Sequence, residues 1–196
     1  MPHFFAYLDR MKYIQRWNIM RNMREENIQE HSLQVALLAH ALAVIKNHYY
    51  DGHVNPERAA VLAIFHEASE VITGDMATPV KYFSPEFRHA YRELEDMAND
   101  RLMQLLPAEL RPNYTSLLSA AEEDHEEHRI VKMADTLAAY LKCIEELKSG
   151  NSEFSSAHDS ILARIEEDPS PELQHFLREY VPSYRLNLDE LNRPNA

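Results

Sequence analysis

Glycine is scarce in this chain, with three residues in 196 against a usual share of about 7%. Tight hairpins depend on glycine for their positive-φ positions, so the shortage argues against a β-rich fold. Cysteine is scarcer still. The single Cys143 excludes an intrachain disulfide and suits a reducing compartment; it reads as a small residue within a helix. No unbroken apolar run approaches the ~20 residues needed to span a bilayer. The opening segment MPHFFAYLDRMKY carries charge within its first ten residues and lacks the apolar core of a signal peptide, so a cytoplasmic protein without membrane attachment is expected. Positive charge is also short: 20 Lys and Arg stand against 32 Asp and Glu, a formal charge of −12. Binding of long nucleic acid needs a basic face that such a chain lacks. The basic charge that exists is concentrated early. Arg10, Lys12, Arg16, Arg21 and Arg24 against Asp9 give residues 1–24 a charge of +4, leaving −16 for the other 172. A patch of this kind is either solvated helix surface or a seat for one compact anion.

What is present is helical periodicity. Val35, Leu38, Leu42 and Ile45 recur at helical spacing, as do Val61, Ile64, Phe65 and Ala68; Phe87, Tyr91, Leu94, Ala98, Leu102 and Leu105; and Ile130, Met133, Leu137, Leu141 and Ile144. Asn55-Pro56-Glu57, Ser84-Pro85-Glu86 and Ser170-Pro171-Glu172 each set a capping side chain before a proline and an acid, the signature of a helix start. Gly150 after Lys148 reads as a stop. The expected fold is all-α, a single helical bundle over 1–196, with helices near 3–14, 29–47, 56–71, 85–106, 126–148 and 171–180. Shorter turns are expected near 113–121 and 152–166, with a tail from about 185 that frays. The longest loops, 15–28 and 72–84, flank the residues that carry chemistry.

Eleven histidines are more than one site needs. His125 and His128 lie in the acidic segment Glu122-Glu123-Asp124-His125-Glu126-Glu127-His128, a solvated helix start, and His40 reads as a satisfied core histidine. Two segments stand out. Glu30-His31-Ser32 opens an otherwise apolar helix, and His66-Glu67-Ala68-Ser69-Glu70 closes one. Burying His66, Glu67 and Glu70 unpaired would cost several kcal/mol, a cost that a divalent cation offsets. His66 and Glu67 are about 100° apart on a helix and can lean toward one ion, and Glu70 shares their face. A zinc-peptidase H-E-x-x-H motif requires a histidine where this chain has Glu70, so that chemistry is excluded.

The order of His31, then His66 with an adjacent acid, then Asp135 resembles the HD-domain phosphohydrolases. Arg16-Trp17, Arg21-Asn22, Glu30-His31-Ser32-Leu33-Gln34-Val35-Ala36, Ala68-Ser69-Glu70-Val71, Thr73-Gly74-Asp75 and Thr78-Pro79-Val80-Lys81-Tyr82-Phe83 resemble, more narrowly, the bacterial HD-domain 5′-deoxynucleotidases. Lys132, Ala134-Asp135, Ala139-Tyr140-Leu141-Lys142-Cys143 and Glu145-Glu146-Leu147 extend the match over nearly the whole chain. The resemblance implies an all-helical HD domain and one divalent transition-metal ion on His31, His66, Glu67 and Asp135. Cobalt is favoured in the test tube, with manganese or zinc as alternatives. It further implies Glu70 as general acid/base, a homodimer, and release of phosphate from deoxyribonucleoside 5′-monophosphates. It places Arg16 near the phosphate, Trp17 near the sugar and Asp75 near the sugar hydroxyls, with Lys81 a second phosphate candidate. From the residues alone Trp17 reads equally as a loop anchor, Asp75 as a turn residue and Lys81 as solvated. One departure falls at the metal: the family has aspartate where this chain has Glu67. The extra methylene carries the carboxylate roughly 1.5 Å further, so the side chain folds back, the ion shifts, or Glu67 is not a ligand. Alternatives within the superfamily are a nucleotide triphosphohydrolase or a cyclic-nucleotide phosphodiesterase; outside it, a binding module weakened at Glu67.

Overall fold

The computed structural model describes residues 1–119 and 124–193; Glu122 and Glu123 of the acidic segment, the end of the turn expected near 113–121, and the last three residues lie outside them. Helices α1 (Phe4–Leu8), α2 (Ile28–Tyr49), α3 (Pro56–Phe65), α4 (Glu70–Thr73), α5 (Thr78–Lys81), α6 (Pro85–Gln104), α7 (Arg111–Leu118), α8 (His125–Lys148), α9 (Ser155–Glu166), α10 (Pro171–Glu179) and α11 (Leu188–Leu191) follow one another, joined in places by 3-10 turns. Among the described residues there is no strand, only an isolated antiparallel bridge between Gln15 and Asn27.

The long helices begin where their caps require. The Asn27 side chain accepts from the backbone N–H groups of Gln29 and Glu30, at 3.1 and 3.0 Å, satisfying two of the free donors at the start of α2. Asn55 and Ser84 cap α3 and α6 in the same way. Ser170 does not. Its side chain makes no capping bond, and its own N–H is taken by Asp168. α2, α3 and α8 pack on one another, with α9 and α10 closing the outside. Their contact buries Val35, Leu38, Leu42 and Ile45, and Ile130, Met133, Leu137, Leu141 and Ile144. A smaller cluster of Phe4, Ala68, Leu102, Leu106 and Leu118 sits beneath the end of α3.

Several expectations are corrected. The helix expected over 56–71 stops at Phe65 and resumes at Glu70. The His66 ring Nδ1 donates to the Ala63 carbonyl at 2.6 Å, the acceptor that the N–H of residue 67 would use in a continuous helix. The chain then tightens into i→i+3 bonds at Ala68, Glu70 and Ile72. Within α3 the buried face is Ala59, Leu62 and Ala63, while Val61 and Ile64 face outward, as do Phe87 and Leu94 of α6. His40 is exposed rather than a core residue, because it falls off the Val35–Leu38–Leu42 stripe. Residues 155–166, expected as part of a short turn, form a three-turn helix, and the C-terminal segment folds into α11 with a capping box on Asn187. By length and hydropathy α2 alone among the described residues is apolar enough to cross a membrane. More than half of its apolar window is instead buried inside the protein.

Candidate metal centre

His31 stands on the first turn of α2, His66 and Glu67 in the break after α3, and Asp135 midway along α8. One donor atom from each lies within 4.8 Å of all the others. His31 is fully buried, while Asp135 keeps 38% of its side chain exposed, so the cluster is reachable from solvent. His31 Nε2 lies 3.0 Å from Asp135 Oδ1, and His66 Nε2 lies 3.3 Å from Glu67 Oε1. Neither nitrogen has an aligned hydrogen-bond partner although both are buried. The two Nε2 atoms and the carboxylate oxygens therefore face one another as a compact set, in which His31 Nε2 offers a lone pair only when that ring carries its proton on Nδ1. An orphaned buried polar atom is costly, and two imidazoles with two carboxylates form a donor set suited to a divalent transition ion. The His66 Nδ1 bond to Ala63 fixes the tautomer that leaves Nε2 free to ligate.

The regular helix ends at Phe65 with His66 still in the right-handed helical region, and the Glu67 carboxylate oxygen lies within the group despite the extra methylene. Burial opposes its ionisation, but the facing His66 and His31 hold Glu67 well below the usual carboxylate range. Glu70, 5% exposed at the start of α4, shares a hydrogen bond with Glu67 and is pushed up to about 11 by burial and then by the Glu67 charge. The two carboxyls are thus pushed in opposite directions, and Glu70 Oε2 is buried without a partner. Burial and then the Arg16 charge lower His31. Burial also works against a charged His66, but Glu67 outweighs it and raises that ring. Burial raises Asp75, whose field is shared with Arg16 and Glu67.

The loop from Gln15 to Asn27 brings Arg16 and Trp17 to the cluster. Its two ends pair through the Gln15–Asn27 bridge, with Arg16 N–H on the Glu26 carbonyl at 2.8 Å and Ile28 N–H on Ile14 at 3.0 Å. Arg16 Nη1 donates to Glu26 Oε2 and to His31 Nδ1, both at 2.8 Å, and Nη2 lies 3.8 Å from Asp135. Trp17 follows at φ 56°, a left-handed backbone that costs a bulky L-residue of order 1–3 kcal/mol and persists only where the surroundings impose it. Its indole N–H is buried and unpaired. Asn18 Nδ2 donates to the Asp75 carbonyl at 3.0 Å, tying this loop to the second one, where Gly74 at φ 74° takes a turn closed to other residues. Lys81 is engaged elsewhere, paired with Glu95 at 2.7 Å and lying over the Tyr91 ring. A cavity of about 420 Å³ is lined in part by Glu26, but none of the four candidate ligands lines it.

Sequence reasoning missed Glu26, the carboxylate that holds Arg16, and the buried Lys142, Glu146 and Asn151 that hold the loop. The i, i+4 spacing of Lys142 and Glu146 was the available signal. The acid after the basic N-terminal stretch was the signal for Glu26.

An all-helical bundle carrying this cluster of two histidines and two carboxylates defines the class of HD-domain phosphohydrolases. A solved HD-domain phosphohydrolase from Listeria innocua superposes with a TM-score of 0.78 at 26% identity, covering 93% of this chain and 88% of its own. The family model of 5′-deoxynucleotidase YfbR-like proteins matches residues 3–184, and the chain belongs to that family. A 5′-deoxynucleotidase of Pectobacterium atrosepticum is 50% identical over 191 residues, 97% of this chain and 96% of that protein. One from Yersinia pestis is 50% identical over 192 residues, 98% of each. The HD phosphohydrolase of cyanophage S-2L, solved with dA and one catalytic Zn2+, shares the fold at a TM-score of 0.60 and 20% identity, covering 88% of this chain and 94% of its own.

Proposed function

We propose that this chain hydrolyses deoxyribonucleoside 5′-monophosphates to deoxynucleoside and phosphate at the His31, His66, Glu67 and Asp135 cluster, with Glu70 moving the proton. That it is a 5′-deoxynucleotidase, a phosphoric monoester hydrolase, follows from its family. The assignment of roles rests on the two orphaned Nε2 atoms facing two carboxylates. A divalent transition ion held by these four residues supplies Lewis acidity toward the phosphoryl oxygens and acidifies water. The departing 5′ oxygen needs a proton. Glu70, kept protonated beside Glu67 with Oε2 unpaired, is placed to donate it and then to recover one from water. Arg16 offers a planar fork for phosphate oxygens. Ligation by His31 Nε2 requires that ring to carry its proton on Nδ1, so Arg16, which can only donate, turns from His31 to the phosphate while Glu26 keeps hold of it. Trp17 forms the wall beside C2′ and Asp75 meets the sugar hydroxyls. Lys81, paired with Glu95, is the second phosphate candidate.

Phosphate release should be screened over deoxy- and ribonucleoside monophosphates, triphosphates and cyclic nucleotides with Co2+, Mn2+ and Zn2+. Ion-dependent release confined to deoxyribonucleoside monophosphates is expected. Turnover of triphosphates or cyclic substrates instead would overturn the reading. Position 67 has its own test: Glu67→Asp is expected to match or exceed the native Co2+ affinity in calorimetric titration. Glu67→Ala should weaken it by roughly 10–100-fold or more, and undiminished affinity would remove Glu67 from the ligand set.

Cobalt is proposed as the most activating ion in the test tube. A homodimer is the proposed assembly. Leu33, Leu37 and Val44 share an outward face of α2, and Val61 and Ile64 that of α3, each 39–67% exposed. Light scattering of the purified chain should give twice its mass, and Leu37→Glu should shift it toward the monomer. A cytoplasmic setting is supported by the lone, fully buried Cys143.

A further inference from the structure

Selecting against a ribose hydroxyl by sterics demands a wall that cannot yield, because a soft ring would simply move aside. We propose that Phe154 is a positioning residue for sugar selection, fixing the Trp17 ring so that it excludes a 2′-hydroxyl. This rests on the reading of Trp17 as the wall beside the sugar. Phe154 is fully buried and Trp17 partly exposed, so Phe154 stands on the core side of the indole. The two rings are tilted at 55° with centroids 5.2 Å apart.

One buried support holds both rings. Glu146 accepts from the backbone N–H groups of Met23 and Arg24 at 2.9 and 3.1 Å, which fixes the Trp17 loop, and from Asn151 Nδ2 at 2.8 Å and Lys142 Nζ. Asn151 Nδ2 also donates to the Arg21 carbonyl at 2.7 Å, while its Oδ1 receives the Glu153 N–H at the start of the turn that ends in Phe154. Lys142 donates to the Arg24 carbonyl, and its Nζ lies 5.8 Å from the centre of the Phe154 ring. Lys142, Glu146 and Asn151 are 3%, 1% and 3% exposed. The loop and its platform therefore cannot separate without breaking the same buried network. On its other side the loop is tied to the Asp75 turn through Asn18. The left-handed backbone at Trp17 is held between these two attachments.

The test is kcat/KM for 5′-dAMP and 5′-AMP, with Co2+, in the wild type, Phe154→Leu, Trp17→Ala and the double variant. Phe154→Leu should lower the dAMP-to-AMP ratio roughly tenfold, through a lower KM for AMP, with kcat on dAMP within about twofold of wild type. In the double variant the loss should not exceed that of Trp17→Ala alone, because Phe154 acts through Trp17. Equal losses on both substrates in Phe154→Leu, or further loss in the double variant, would overturn the role of Phe154. An unchanged ratio in Trp17→Ala would instead overturn the reading of Trp17. Should Phe154→Leu not fold, as judged by circular dichroism, Phe154→Met is read by the same ratio.

Discussion

Glu70→Ala is expected to lower kcat by on the order of 10²–10⁴-fold while leaving nucleotide affinity nearly unchanged. The reason is local. Glu70 begins α4 beside Glu67, is 5% exposed, and is pushed upward by burial and the Glu67 charge, with one oxygen buried and unpartnered. Phosphate monoesters hydrolyse extremely slowly when the leaving alkoxide departs unprotonated, so removal of the donor falls on the chemical step. Glu70→Gln keeps the shape and the hydrogen bond to Glu67 but cannot release a proton, so it should be as inactive as Glu70→Ala. Single-turnover measurement of phosphate release, beside calorimetric titration with 5′-dAMP, separates the two quantities. Full turnover in either variant would show that the proton comes from elsewhere.

The second large effect is on stability. Glu146→Ala should destabilise the protein by about 3–5 kcal/mol, because it leaves the Lys142 ammonium buried without its counter-ion and frees the N–H groups of Met23 and Arg24. Burial alone would raise the Glu146 carboxyl. Hydrogen bonds from Asn151, Lys142 and the two backbone donors outweigh it and hold the group down at about 2, against 4.5 for the free side chain. The sign follows from that depression. The carboxylate's contribution is fully present above pH 4.5 and is lost as pH falls toward about 2. The stability difference between wild type and Glu146→Ala should therefore be largest at neutral pH and shrink between pH 4.5 and 2. Urea denaturation at pH 7, 4 and 3 measures it, and a difference independent of pH would deny Glu146 this role.

Much of this protein could be read from its sequence, and what could be read is local in character. Scarce glycine and apolar residues at helical spacing gave the all-α class. Asn55 and Ser84 mark helix starts through bonds to residues three positions on, so a linear reading finds them. The four candidate ligands were named from sequence partly through a family resemblance, and the structure brings their donor atoms together. What sequence left open depended on groups far apart along the chain. The face that α3 buries was misjudged because its partners are α2 and α8. His40 was misplaced for the same reason. The His66 ring nitrogen takes the Ala63 carbonyl at the point where the regular helix ends, a bond that no propensity encodes. Glu26 meets Arg16 across 10 residues and Glu146 meets Met23 across 123, so neither role has a local pattern. The sequence by itself determined the helices, the histidines and carboxylates available, and the family. Only the tertiary structure decided that Glu67 joins the cluster, that Lys81 is paired elsewhere, and that one buried carboxylate on α8 holds the loop carrying Arg16 and Trp17. Those outcomes depend on which unpaired donors and acceptors meet once the helices pack.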